Sequence, residues 1–313
     1  MTVKSYFIKE GRLRPTWRVV CYTLALLLGS ILIEIMVAVL LVLPTMVFLG
    51  VTDVDTLMGL ASSLPVLLIV SLGKLALILP LTYLFRRFLD GGTLLGLGFH
   101  RRPGWLKEIL AGLLLGTLLI SLIFLLEWGA GWLYVQGFAW QVQPPILMMG
   151  NLLGYLLMMI LVAFYEELSF RGYMLQNLDT ERGAVVALVA SSVLFGLFHG
   201  LNPNISWLAL LNIFLAGVLL AACYLVTREL WLPIAFHFSW NFVQGPVFSF
   251  PVSGVATGGL LLTETGGNPL ITGGAFGLEG GLVSTVATSL GLLILLLWRR
   301  RQKSGSTEWE PMK

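Results

Sequence analysis

The sequence predicts an all-α, polytopic membrane protein with about eight transmembrane helices. Of its 313 residues, 57% are hydrophobic and only 11% are charged, whereas soluble domains average about 25% charged residues. Apolar runs long enough to cross about 30 Å of hydrocarbon recur along the whole chain. This composition leaves no room for a separate soluble domain. No basic stretch interleaved with aromatic residues indicates nucleic-acid binding, so lipid is the expected environment and no nucleic-acid partner is expected.

The order of apolar and polar segments predicts three regions. Residues 1–18 carry five basic side chains and form a cytoplasmic N-terminus, residues 19–298 form one transmembrane domain, and residues 299–313 form a cytoplasmic tail. The first apolar run is too long for a signal-peptide core, so it is interpreted as an uncleaved span. The last twelve residues are polar and expected to be disordered. The predicted spans are 19–43, 57–85, 106–135, 146–178, 183–198, 206–226, 230–250 and 282–298.

The distribution of basic residues predicts the orientation. With eight spans and the N-terminus inside, the turns at 86–107, 179–182 and 228–229 face the cytoplasm, and the outer connections carry no Lys or Arg. The positive-inside rule favours this arrangement. We therefore expect an integral protein of the plasma (inner) membrane with both termini cytoplasmic. The outer connection 251–281 is rich in glycine and is interpreted as a mobile loop, with a re-entrant piece or a lid as alternatives.

Charged residues inside the predicted spans are few. Glu34 and Lys74 lie near the middle of neighbouring antiparallel spans, so a structural ion pair is predicted, with an ion or proton path as the functional alternative. Glu127 lies beside Trp128 near a membrane surface and is expected to contact water.

The densest charge inside the membrane is at Glu166, Glu167 and Arg171. A charge at the bilayer centre costs roughly 2.5 to 3.5 kcal/mol on insertion scales, so it is expected to have a partner and often a function. Glu167 and Arg171 are four residues apart, in the favourable order for a helical ion pair. Glu166 is rotated by about 100° from Glu167 and is left for another role.

Three further polar residues are predicted to meet Glu166. Glu166 lies 13 residues before Asp179, and His199 lies 17 residues after Arg182, which places them about 20 and 25 Å from the turn between their helices. His237 and Asn241 are four residues apart and share one helix face. The four side chains can therefore converge in the middle of the bundle.

This set of side chains permits two kinds of chemistry. A carboxylate beside an imidazole can hold and deprotonate a water, while an imidazole and a carboxamide can donate to an oxyanion. Glu166, His199 and His237 also form a set of candidate ligands for a catalytic zinc ion, although the helical His-Glu-x-x-His spacing is absent. A proton-coupled transporter is a second class of function, but no internal repeat supports it. A catalytically silent membrane scaffold or immunity factor is a third.

The three patterns Glu166-Glu167-x-x-x-Arg171, Phe195-x-x-x-His199 and His237-x-x-x-Asn241 occur in order within residues 146–245. They resemble the motifs of the CAAX-protease and bacteriocin-processing (CPBP, or Abi) family of intramembrane proteases, the type II CAAX prenyl endopeptidases.

The resemblance implies an eight-helix fold, a membrane-embedded site open to the cytoplasm, and endopeptidase activity on a membrane-associated protein or peptide. Glu166 would be the base and His199 would help to hold the water. His237 and Asn241 would form the oxyanion site, and Glu167 and Arg171 would shape it. Members are labelled as metalloproteases, while the best-understood fold suggests a glutamate-dependent mechanism. The resemblance thus leaves open whether the protein has no cofactor or binds one divalent metal ion, zinc.

Overall fold

The computed structural model describes residues 6–50 and 53–305, with side chains as far as Arg301, and it is a helical bundle. Lys4 and the tail residues 306–313 lie outside the described part. The helices are α1 (Pro15–Leu49), α2 (Val54–Ala61), α3 (Leu64–Asp90), α4 (Trp105–Gly129), α5 (Pro145–Arg182), α6 (Ala184–Phe198), α7 (Trp207–Thr227), α8 (Trp231–Phe242), α9 (Pro269–Thr272) and α10 (Leu282–Gly305). The strands are β1 (Ile8–Lys9), β2 (Arg12–Leu13), β3 (Leu133–Phe138) and β4 (Leu261–Thr265).

The polytopic helical fold is confirmed, and each predicted span corresponds to a helix. Among the described residues, six helices are long and apolar enough to cross a membrane. The fifth and seventh predicted spans are the exceptions, because α6 has 15 residues and α8 has 12. Helix α8 continues as a π-helix over Val243–Val247. The protein is therefore an integral membrane protein in which two of the predicted spans correspond to helices shorter than the other six.

Several predicted boundaries were wrong. The second predicted span, 57–85, is divided into α2, which ends at Ala61, and α3, which begins at Leu64. Helix α1 begins at Pro15, not residue 19, because proline suits the first turn of a helix. Helix α4 ends at Gly129, and the chain turns through Gly131 with φ of 73° before entering β3. Helix α10 extends to Gly305, so the first residues of the tail expected to be disordered are helical.

The described part of the N-terminal segment and the three predicted cytoplasmic turns lie together at one end of the bundle, which we call the basic end. Acidic side chains there connect the segments to one another through ion pairs. The pairs are Arg14–Glu181 at 2.8 Å, Arg18–Asp90 at 3.0 Å, Arg102–Glu229 at 3.2 Å and Arg228–Asp179 at 2.6 Å. The N-terminus and three predicted turns therefore share one side, as the charge pattern requires.

The connection at residues 251–281 is folded and not a mobile loop, so that interpretation was wrong. We call it the cap segment. Its strand β4 pairs with β3 in an antiparallel sheet. The Asn212 side chain on α7 donates to the main-chain oxygens of Glu279 and Gly281, at 2.8 Å each. Glycine does not indicate mobility here, because Gly277 has φ of 99°, a value that other residues rarely adopt.

The predictions for the isolated charged residues inside the spans have different outcomes. Lys74 Nζ lies 2.7 Å from Glu34 Oε1, which confirms the predicted ion pair. Glu127 is fully buried, and neither carboxylate oxygen has a hydrogen-bond partner among the described residues. Its expected contact with water was therefore wrong, because β3 and the π-helical end of α8 pack over that end of α4.

Small residues bring α4 close to α8, which carries two of the predicted site residues. A Cβ atom added at Gly112 would lie 2.5 Å from the Leu232 oxygen, and one at Gly116 would lie 2.6 Å from the Phe236 oxygen. Both neighbours are backbone atoms that cannot rotate away. The two glycines therefore set the distance between these helices.

Replacing Gly116 by Ala tests this packing. We expect a loss of about 1–3 kcal/mol, the usual cost of overpacking, measured as a lower thermal unfolding temperature in detergent. Gly150→Ala is the matched control, because a Cβ there meets no atom within 4 Å and alanine favours helix by about 1 kcal/mol. Equal stability of the two variants would contradict the close helix contact.

Candidate active site

The structure brings Glu166 together with both membrane histidines. His199 Nε2 lies 4.0 Å and His237 Nε2 lies 3.8 Å from Glu166 Oε2. These distances are too long for direct hydrogen bonds, and they suit a bridging water. Glu166 Oε2 is buried and has no hydrogen-bond partner among the described residues. One unpaired carboxylate oxygen thus faces two imidazole nitrogens across a small gap.

The other nitrogen of each imidazole is held by a defined partner. His199 Nδ1 lies 2.8 Å from the Phe195 main-chain oxygen, and His237 Nδ1 lies 2.9 Å from Glu167 Oε1. Both partners are acceptors, so we assign the proton of each neutral ring to Nδ1. Each Nε2 then carries a free lone pair directed toward Glu166. Phe195, the phenylalanine of the second motif, therefore contributes its main-chain carbonyl oxygen to the site. Its side-chain type gives no sign of this role.

The predicted pair of Glu167 and Arg171 is present and fully buried. Arg171 donates to Glu167 Oε1 at 2.8 Å and to the Gly217 oxygen on α7 at 3.0 Å. Its guanidinium lies 4.4 Å from the centre of the Phe195 ring. The same Glu167 oxygen is the partner of His237. This network connects α5, α6, α7 and α8 around the site.

Local helix geometry contributes to this arrangement. Residues Leu168–Leu175 form a π-helix, and all eight are buried. Wider turns of this kind are frequent at functional sites, because they rotate side chains relative to a regular helix. The stretch begins directly after Glu167, so the two glutamates precede it while Arg171 lies within it.

Asn241 shares a cavity with the other site residues. The cavity has a volume of about 360 Å³, and Glu166, His199, His237 and Asn241 all line it. Asn241 is 6% exposed, and it lies four residues after His237 on α8. All six residues that the sequence singled out therefore lie in the cavity wall or directly behind it.

Sequence reasoning missed the contribution of the cap segment. Ser253 and Glu279 also line the cavity. The Glu279 carboxylate accepts from Trp240 Nε1 at 3.1 Å and from the Ser253 main-chain nitrogen at 2.8 Å. Trp240 precedes Asn241, so this contact connects the cap to the helix that carries two site residues. The cap segment has no helical or strand periodicity, so its sequence does not indicate where the Glu279 side chain lies.

Glu166, His199 and His237 have donor atoms of the types that bind zinc, but their spacing is wide. Ligand atoms around tetrahedral zinc lie roughly 3.3 Å apart when the bonds are about 2.0 Å. Both Nε2–Oε2 distances exceed this value. Within the described ranges, no group of three His, Cys, Asp or Glu residues is arranged to hold a metal ion. The geometry as it stands fits a water better than a metal.

Removing the cation of the buried pair tests the network. In Arg171→Met the Glu167 carboxylate keeps its burial but loses the guanidinium, and breaking a buried pair costs about 3–5 kcal/mol. We expect a large fall in thermal stability in detergent together with a loss of any activity of the site. Lys74→Met removes the cation of a partly exposed pair and should cost less. Equal losses of thermal stability in the two variants would mean that burial does not determine how strongly the ion pair stabilises the protein.

Comparisons with known proteins give one match. A search of curated proteins and a search of solved structures found no match. A family model matches residues 148–243, just under a third of the chain, and this segment contains all three motifs. The match confirms the resemblance drawn from the motifs: residues 148–243 carry the sequence pattern of the Rce1-like family, the type II CAAX prenyl endopeptidases.

Proposed function

We propose that the protein is an intramembrane endopeptidase of the CAAX type. It hydrolyses a peptide bond of a membrane-associated protein or peptide with a water activated by Glu166. The observation that carries the proposal is the gap between Glu166 Oε2 and the two Nε2 atoms, at 3.8 and 4.0 Å. A family match to endopeptidases over the same residues supports it.

In the proposed reaction, the water lies between Glu166 and His199. Glu166 takes a proton as the water oxygen attacks the carbonyl carbon, and the same proton then passes to the departing amine. His199 accepts a hydrogen bond from the water through Nε2, because its Nδ1 is held by the Phe195 oxygen. The water therefore has two acceptors, which orient a lone pair toward the substrate.

The developing oxyanion requires hydrogen-bond donors. We assign this role to the Asn241 carboxamide and to His237, which line the same cavity wall. His237 donates through Nε2 only when its ring is protonated, and Glu167 at Nδ1 stabilises that form. Glu167 and Arg171 do not touch the substrate in this proposal. They hold the imidazole.

A serine or cysteine nucleophile has less support than water. Ser169 lines the cavity, but its hydroxyl donates to the Tyr165 oxygen at 2.8 Å and accepts from the Tyr22 hydroxyl at 3.2 Å. Among the described residues, no imidazole or carboxylate is hydrogen-bonded to it, whereas an activated serine needs such a base. Cys223 is fully buried.

The orientation is also proposed. We place the protein in the plasma (inner) membrane with both termini in the cytoplasm, because the arginines of several segments collect at the basic end. Lys and Arg favour the cytoplasmic side.

Replacing Glu166 by Gln tests the base. The change keeps size and burial but removes the proton acceptor, so cleavage should fall by about 100- to 10,000-fold. Natural substrates are first identified as membrane proteins that accumulate in a deletion strain, and their cleavage is then followed by immunoblotting. His199→Ala should behave similarly, and both variants should remain folded in the membrane. Glu264→Gln is the control, because Glu264 lies in β4 away from the cavity.

Unchanged cleavage in Glu166→Gln would rule out the proposed base. A strain whose phenotype is restored by Glu166→Gln would favour a scaffold or immunity factor instead.

Metal removal tests the cofactor. The purified protein should contain no stoichiometric zinc and should keep its activity in chelator, because the site atoms are spaced for a water. If a zinc ion were bound, Glu166, His199 and His237 would hold it, and it would polarise the water. Loss of activity in chelator and recovery with zinc would overturn the metal-free mechanism and leave the endopeptidase proposal intact.

A further inference from the structure

We infer that Glu279 is a positioning residue for the proposed reaction. Through a chain of hydrogen bonds across the cap segment, it fixes His199, which holds the water, relative to Asn241, which binds the oxyanion. Glu279 lies outside the three motifs and outside the matched segment 148–243. The inference rests on the proposed function, because it needs a reaction that uses both His199 and Asn241.

The Glu279 carboxylate accepts hydrogen bonds at both of its oxygens. Its Oε1 accepts from Trp240 Nε1 at 3.1 Å. Its Oε2 accepts from the Ser253 main-chain nitrogen at 2.8 Å and from the Ser253 hydroxyl at 2.9 Å. The residue is 7% exposed. A carboxylate can accept at both oxygens, whereas a carboxamide has only one acceptor oxygen. The donors around this side chain therefore favour Glu over Gln.

The chain of hydrogen bonds continues from Ser253 to the turn that follows α6. The Asn202 side chain donates to the Ser253 main-chain oxygen at 2.9 Å, and the Asn202 main-chain nitrogen donates to the His199 main-chain oxygen at 3.0 Å. His199 is the residue directly after α6, where the regular hydrogen bonds of the helix end. Asn202 and Ser253 therefore supply a restraint that the helix does not.

Ser253 lies in a tight turn that packs closely on the same part of the chain. Residues 252–255 form a hairpin turn, and Ser253 and Gly254 have φ of 48° and 84°, the positive values that a two-residue turn of this kind requires. A Cβ atom added at Gly254 would lie 2.0 Å from the Pro203 main-chain oxygen. A movement of this turn would therefore be transmitted to the segment that follows α6.

These contacts connect the water-binding side of the site to the oxyanion side. Trp240 directly precedes Asn241 on α8, and Ser253 and Glu279 line the same cavity as His199 and Asn241. Loss of one hydrogen bond in the chain should let the turn after α6 shift relative to α8. A displacement of about 1 Å can lower a reaction rate by about 100-fold when the reacting groups must be aligned. The expected effect is therefore on kcat and not on KM.

Glu279→Gln and Trp240→Phe test the inference, because each removes one hydrogen bond of the chain and nearly keeps the size of the side chain. We expect kcat to fall about 10- to 100-fold in both variants with KM within about twofold. The purified protein is assayed on a substrate identified in the deletion strain. The double variant should lose no more than the worse single variant, because one break already interrupts the chain. If Glu279→Gln does not fold, Trp240→Phe tests the chain by itself.

Thr263→Val is the matched control. It removes a different hydrogen bond of the cap segment, from the Thr263 hydroxyl to the Phe248 oxygen at 2.8 Å, and Thr263 does not line the cavity. Its kcat should match that of the parent. Hydrogen exchange gives a second measurement that does not depend on activity. The amides of residues 199–202 and 253–254 should exchange faster in Glu279→Gln and Trp240→Phe, but not in Thr263→Val.

Unchanged kcat in Glu279→Gln and Trp240→Phe would overturn the inference, and so would additive losses in the double variant or unchanged hydrogen exchange. An equal fall of kcat in Thr263→Val would also overturn it, because the loss would then follow from destabilising the cap in general. None of these results affects the proposed function, which depends on the Glu166→Gln variant. If Glu166→Gln cleaves normally, the proposed function fails and this inference fails with it.

Discussion

The site depends on the contacts that the buried carboxylate of Glu167 makes. One of its oxygens is shared by the Arg171 guanidinium at 2.8 Å and by His237 Nδ1 at 2.9 Å. Desolvating this carboxylate is expensive, and its partners offset the cost only while both remain in place. Because adjacent helical residues differ by about 100°, fixing Glu167 toward α8 directs Glu166 into the cavity. A structural ion pair thus sets the position of the proposed base.

Close helix packing makes that contact possible. Gly112 and Gly116 let α8 approach α4, and Gly217 presents its carbonyl to Arg171 from α7. In lipid there is little hydrophobic driving force between helices, so small residues and polar contacts have more weight than in a soluble core. Helices too short to span the membrane, α6 and α8, are held by these contacts. Their shortness leaves room above them for the cap segment.

The sequence predicted the parts of the fold that follow from periodicity and charge. Hydropathy located the six helices that are long enough to cross a membrane, and i,i+4 spacing predicted both Glu167–Arg171 and the shared face of His237 and Asn241. Helical rise alone placed Glu166 and His199 within one turn of each other in height. Which faces point inward could not be derived, because helices this apolar show no polar side to mark their orientation.

The cap segment could not be predicted for a different physical reason. Its order comes from contacts distant in sequence, such as β4 with β3 and Glu279 with Trp240. Glycine composition indicated mobility, whereas several of these glycines adopt backbone angles that a tight fold requires. The prediction that Glu127 contacts water was wrong for a similar reason, because its side chain becomes buried only in the tertiary fold.

Hydrolysis inside a membrane needs a route for water as well as a base. The exposed Glu34 with its partner Lys74 makes one wall of the cavity polar at a depth where lipid would otherwise surround it. In the proposed reaction, the water further inward has Glu166 and His199 as acceptors, within the two to four polar partners that a buried water usually has. The buried stretch Leu168–Leu175 follows the two glutamates on α5, and its residues Ser169 and Phe170 also line the cavity. The ion pair, the proposed base and the cap segment thus line one cavity.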